Sequence, residues 1–159
     1  MQTTSIRTDT DEERKRAEAI SLLGRGDPAL LETVWAGLED KPAYRWLRPP
    51  EIGLVMVRAR AGGTGQPFNL GEMTVTRAAV RLDGEPALVG FSYVAGRAKR
   101  HAELASLFEA LLQRASLREL LEANLLAPLA EAAAATRSQR AERVAATRVD
   151  FTTMVRGDD

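Results

Sequence analysis

The chain has no cysteine and one histidine, His101, among 159 residues. The first absence excludes a disulfide framework, a thiolate zinc site, a cysteine-ligated iron-sulfur cluster and a thiol nucleophile. A lone imidazole likewise excludes a multi-histidine metal centre within one chain. Apolar runs long enough to span a bilayer are missing, and the polar start Met1-Gln2-Thr3-Thr4-Ser5 lacks the apolar region of a signal peptide. The expectation is a soluble, cytoplasmic protein with no membrane partner. Excess charge is missing too, since 22 basic side chains match 22 acidic ones, which gives no case for general nucleic-acid affinity. What is present, 45% hydrophobic and 28% charged residues, suits one domain, residues 1–159, built around one principal core.

Charge is unevenly distributed. Residues 1–40 carry 5 basic and 9 acidic side chains, residues 41–100 carry 10 and 4, and residues 101–159 carry 7 and 9. The cationic middle is almost entirely arginine: Arg45, Arg48, Arg58, Arg60, Arg77, Arg81, Arg97 and Arg100, with Lys41 and Lys99. Arginine suits bidentate pairing with carboxylate or phosphate, so either an anionic partner or the chain's own acidic helices could meet this region.

Periodicity predicts an α+β domain, a small antiparallel sheet of three to four strands packed against N-terminal and C-terminal helices. A first helix should start near residues 8–10, with Asp11, Glu12 and Glu13 at the positive end of its dipole, and stop at Gly24. Asp27-Pro28 then reads as an N-cap followed by proline at the first helical position of a second helix. Lys41-Pro42 and Pro49-Pro50 bound an extended arm near 41–50. Residues 52–60 alternate with both faces apolar, which predicts a central strand. Residues 73–82 resume the alternation, Asp83-Gly84 suggests a tight hairpin, and residues 87–94 form a third strand. A long helix follows to about Arg114, with Leu104, Leu107, Phe108, Leu111 and Leu112 as its stripe. Ser116 and Glu119 match a capping box, Pro128 restarts an alanine-rich helix, and the tail near 148–159 contains a β-prone stretch that could add a fourth strand.

Few features suggest chemistry. Gly62, Gly63, Thr64 and Gly65 could present backbone amides to an anion, because glycine allows the angles of an anion-binding nest. The stretch lacks the lysine and hydroxyl ending of a phosphate-binding loop and does not lead into a helix, so a plain connection between strands is the stronger reading. Thr76 and Arg77 could add donors, as could Arg97 and His101 at the start of the long helix. His101 among cations reads as a surface or interface residue. Tyr44, Trp46 and Leu47 in the arm, and Phe151 and Met154 in the tail, are apolar residues in irregular segments. They read either as docking arms or as segments folded back over their own sheet. Catalytic and metal-ligating residues are not evident.

The runs Gly53-Leu54-Val55-Met56-Val57-Arg58-Ala59-Arg60, Gly71-Glu72-Met73-Thr74-Val75-Thr76-Arg77 and Gly96-Arg97-Ala98-Lys99-Arg100-His101-Ala102-Glu103, with the glycine-rich stretch between the first two and the ending Arg148-Val149-Asp150-Phe151-Thr152-Thr153-Met154, carry a resemblance. Together they resemble the PhnG family, the G subunits of the bacterial phosphonate carbon-phosphorus lyase core complex. The resemblance implies work beside the H, I and J subunits in a twofold hetero-oligomer, with ATP-binding-cassette partners in the pathway. It implies MgATP as a substrate of the complex, adenine being displaced by an alkylphosphonate. It also implies an iron-sulfur cluster and S-adenosylmethionine in a partner subunit, with no cofactor bound by this chain alone. An accessory, scaffolding role is expected. The alternative is a direct role, with the glycine loop, Thr76, Arg77 and His101 lining an anionic substrate site at a subunit interface.

Overall fold

Residues 11–62, 64–84 and 86–147 are described by the computed structural model. Helix α1, Asp11–Arg25, begins with three acidic residues and ends with Arg25, so its charges complement its dipole. Helix α2, Pro28–Gly37, starts as expected: the Asp27 carboxylate accepts from Ala29 N at 2.9 Å, and proline occupies a first-turn position that needs no amide.

Three antiparallel strands follow, β1 (Tyr44–Arg60), β2 (Pro67–Leu82) and β3 (Val89–Ala95), in the order β1-β2-β3. This corrects two expectations. Residues 44–48 are no separate arm but the start of β1, which runs through Pro49 and Pro50 with register shifts between Trp46 and Arg48 and between Arg48 and Glu51. Proline is tolerated there because β1 is an edge strand, so a missing donor can face outward and bulges absorb the misfit. The central strand is therefore β2, not β1. β2 also begins at Pro67, well before the expected Met73. The link to β3 spans residues 83–88 and is no tight two-residue turn; Leu82 N reaches Leu88 O at 2.9 Å, and Gly84 takes φ 121°.

Helix α3, Lys99–Leu111, lies on the inner face of the sheet, where Ala78, Val80, Leu82 and Val94 meet it. The expected stripe is there, but Ala102, Ala105, Ser106, Glu109 and Ala110 are buried as well, because α1 and α2 pack on the helix from other sides. Trp35 of α2 stands edge-on to Phe108, with ring centroids 6.0 Å apart. β3 approaches α3 closely enough that a side chain at Gly90 would strike the Ser106 carbonyl and the Ala110 backbone.

The chain closes with α4 (Ala115–Leu121), a π-helical turn (Glu122–Leu126) and α5 (Ala127–Ala146). No capping box forms: Arg114 is the N-cap of α4, without a side-chain cap, and Ser116 lies inside the helix. Pro128 opens the alanine-rich helix as expected. It sits in the first turn of α5, and the wider π turn before it accommodates a residue that cannot donate. Leu121, Leu125 and Leu129 reach the core, after which α5 is exposed. Gly63, Glu85, the start of the chain and the tail with Phe151 and Met154 lie outside the described residues.

Candidate functional site

The β1–β2 ladder outruns its support. Pairing continues from Leu54↔Thr74 through Met56↔Glu72 to Arg60↔Pro67, while every residue of β2 from Pro67 to Met73 is exposed. At about 3.3 Å per residue, the reach from Ile52 to Arg60 is roughly 26 Å. Leu54 is 62% exposed, Met56 53% and Leu70 64%, with Ile52, Phe68 and Met73 also open. A two-stranded ribbon carrying that much apolar surface gains little from solvent alone.

At its tip, Gly62 adopts φ 60°, a left-handed angle suited to glycine. Gly65 N donates to Ala61 O at 3.0 Å, and Arg60 donates to Gly65 O at 3.2 Å. Thr64 is exposed and Gly63 falls outside the described residues. The loop thus closes a hairpin.

The other residues expected to join it lie elsewhere. Thr76 is fully buried: its hydroxyl donates to Gly96 O at 2.7 Å and accepts from Ala98 N at 2.9 Å, fixing the β3–α3 connection. Arg77, on the opposite face, pairs with Glu51 at 2.6 Å. Arg97 is exposed. His101 is buried, not superficial: its Nε2 donates to Leu23 O at 2.7 Å, satisfying a carbonyl in the last turn of α1 that the helix leaves unpaired. Within the described chain, the loop, Thr76, Arg77 and His101 do not converge.

Tyr44 and Trp46 fold back over the core instead of reaching out, and their rings meet edge-on at 5.5 Å. The Tyr44 hydroxyl donates to Glu103 at 2.7 Å. Burial, then the Glu103 carboxylate, pushes the phenol above its ordinary range. Arg100 bridges Glu103 at 3.0 Å and grips Glu32 through two nitrogens, at 2.8 and 3.1 Å. That pairing lowers the Glu32 carboxyl and raises the guanidinium. Leu47 alone of the three arm residues is exposed.

One chemically notable residue escaped sequence reasoning. Glu109 is 2% exposed. It accepts from Arg16 Nε at 2.6 Å, Phe91 N at 3.1 Å and Gln113 Nε2 at 3.2 Å. Burial raises its carboxyl, and Arg16 opposes that rise. The available signal was a glutamate directly beside Phe108 in an apolar stripe. It forms part of the wall of a groove of about 590 Å³ between α1 and the α4–α5 segment, floored by Ala19, Leu22, Leu112 and Leu126. With both oxygens engaged, Glu109 ties α1, β3 and α3 together. Among the described residues no cluster of acidic or imidazole groups could hold a metal ion, and no helix is long and apolar enough to cross a membrane.

A family model described as "Phosphonate metabolism protein PhnG" matches residues 14–157. A protein of Rhizobium meliloti (strain 1021), named alpha-D-ribose 1-methylphosphonate 5-triphosphate synthase subunit PhnG, is 48% identical over 146 residues, covering 91% of each chain. With a match over nearly its whole length and this level of identity, the chain belongs to the PhnG family.

Proposed function

We propose that this chain is a docking subunit, without catalytic residues of its own, of the cytoplasmic assembly that makes alpha-D-ribose 1-methylphosphonate 5-triphosphate. Its β1–β2 hairpin inserts into a partner subunit. The assembly brings together H, I and J subunits and displaces adenine from MgATP with an alkylphosphonate. Carbon-phosphorus cleavage, with its iron-sulfur cluster and S-adenosylmethionine, belongs to a partner. ATP-binding-cassette proteins join the pathway.

The observation that carries this reading is the apolar row Leu54, Met56 and Leu70 on a ladder that nothing in the described chain covers. Burying each such side chain against a partner stabilises by about 1.5–3 kcal/mol. The internal engagement of Thr76, His101 and Glu109 supports the same reading, since these groups already hold the fold.

The test is equilibrium binding to the co-purified partner subunits. Leu54→Glu with Met56→Glu should weaken binding by about 100-fold or more, while the isolated chain keeps its melting temperature because both positions are exposed. Unchanged binding would reject the hairpin as the docking element.

A further inference from the structure

The outer face of the sheet, away from α3, presents a second surface. Arg45 stands directly opposite Arg81, Arg48 opposite Ala79, and Glu51 opposite Arg77. Directly opposed residues in an antiparallel ladder project to one side, so four guanidinium groups share this face with one carboxylate. A single oxygen of Glu51 serves both Arg77, at 2.6 Å, and Arg48, at 3.5 Å. Arg45 and Arg81 have no hydrogen-bond or ion-pair partner among the described residues. Like charges set across a ladder repel, and among the described residues neither side chain is tied to another element.

The same face carries apolar groups, Val55 and Met73 beside the arginines and Phe91 and Tyr93 on β3, the last two exposed. Among the described residues α1 reaches this face at β3, where Arg16 lies 5.4 Å from the Phe91 ring centre. The four arginines line neither the groove beside α1 nor the hollow at Arg58, Arg60 and Pro67, whereas small ligands are held in concave sites. A phosphate backbone would leave the aromatic and aliphatic half uncovered. Arginine interleaved with aromatics is the composition of protein-protein contacts.

We infer that this face docks an acidic, partly apolar surface of a partner subunit, whose carboxylates sit between Arg45 and Arg81. The inference rests on the reading of the chain as a complex subunit and assigns a contact separate from the hairpin's apolar row. A carboxylate placed there turns a repulsive pair into a forked, charge-assisted one.

The test uses the full chain and the co-expressed H, I and J subunits. Arg45→Glu with Arg81→Glu should weaken association by at least about tenfold. Wild-type affinity should fall as sodium chloride rises from roughly 50 to 500 mM, because exposed charges are screened. The isolated double variant should melt no earlier than wild type. If it does melt early, Arg45→Gln alone, at an exposed position, should still weaken association. Assembly unchanged by these substitutions, with the wild type assembling, overturns the acidic contact and leaves the subunit reading standing. A wild-type chain that ignores its partners overturns both. Retention of a short DNA duplex by the wild type, lost in the double variant, would overturn the inference in favour of nucleic acid.

Discussion

Arg16 Nε donates a 2.6 Å hydrogen bond to Glu109 Oε1, linking a half-exposed side chain of α1 to an almost fully buried carboxylate of α3. α1 runs antiparallel to α3, and the Leu23 carbonyl near its far end receives the His101 bond. Two polar contacts therefore set the height of one helix on the other within an otherwise apolar interface.

The Glu109 carboxyl is held above its ordinary value of 4.5 by burial. In that window the folded chain keeps a proton that the unfolded chain has released, so stability falls as pH rises through it. Urea denaturation between pH 4 and 8 should show this slope. Glu109→Gln should flatten it, and Arg16→Ala should steepen it by removing the opposing cation. At neutral pH Arg16→Ala should cost about 1–3 kcal/mol, less than breaking a fully buried pair because Arg16 is partly solvated.

Gly90→Ala should destabilise by about 2–3 kcal/mol, since the added methyl meets α3 backbone that cannot move without lifting the helix off β3. Gly53→Ala, where a methyl meets open space, should change stability by no more than about 0.5 kcal/mol. Thermal melts of the two variants check the contrast.

Thr76→Val keeps the side-chain volume but orphans Ala98 N and Gly96 O, and should cost about 1–3 kcal/mol. Thr76→Ser should recover most of it. An unfolding midpoint that ignores the hydroxyl would refute its role in holding the β3–α3 connection.

Tyr44 should ionise above its ordinary 10.0, with burial first and Glu103 second as causes. Ultraviolet titration of wild type against Tyr44→Phe isolates this phenol. Glu103→Gln should bring its midpoint down, and a midpoint unmoved by that substitution would contradict the 2.7 Å contact.

Much of the fold was legible locally. Asp27-Pro28 marks a helix start by cap chemistry and fixed proline geometry, and the alternation along β2 and the stripe of α3 follow from their periods. Long-range placement was not. Pro49-Pro50 reads as a break until β1 is known to be an edge strand, and the two apolar faces of residues 52–60 read as burial when the Leu54 face is open. Thr76 and His101 look like available donors in sequence, whereas their partners, Gly96, Ala98 and Leu23, are fixed only by tertiary packing. The resemblance identified the family, but the surface a partner could grip became visible only once the unsupported length of the hairpin was seen.

The most direct test of docking without catalysis is adenine release by intact assemblies, matched in mass by light scattering, that carry Thr64→Ala and Arg77→Ala in this chain. The account predicts turnover per assembled complex within about twofold of wild type. A fall of tenfold or more with assembly mass unchanged would contradict it and give these residues a direct part in the reaction.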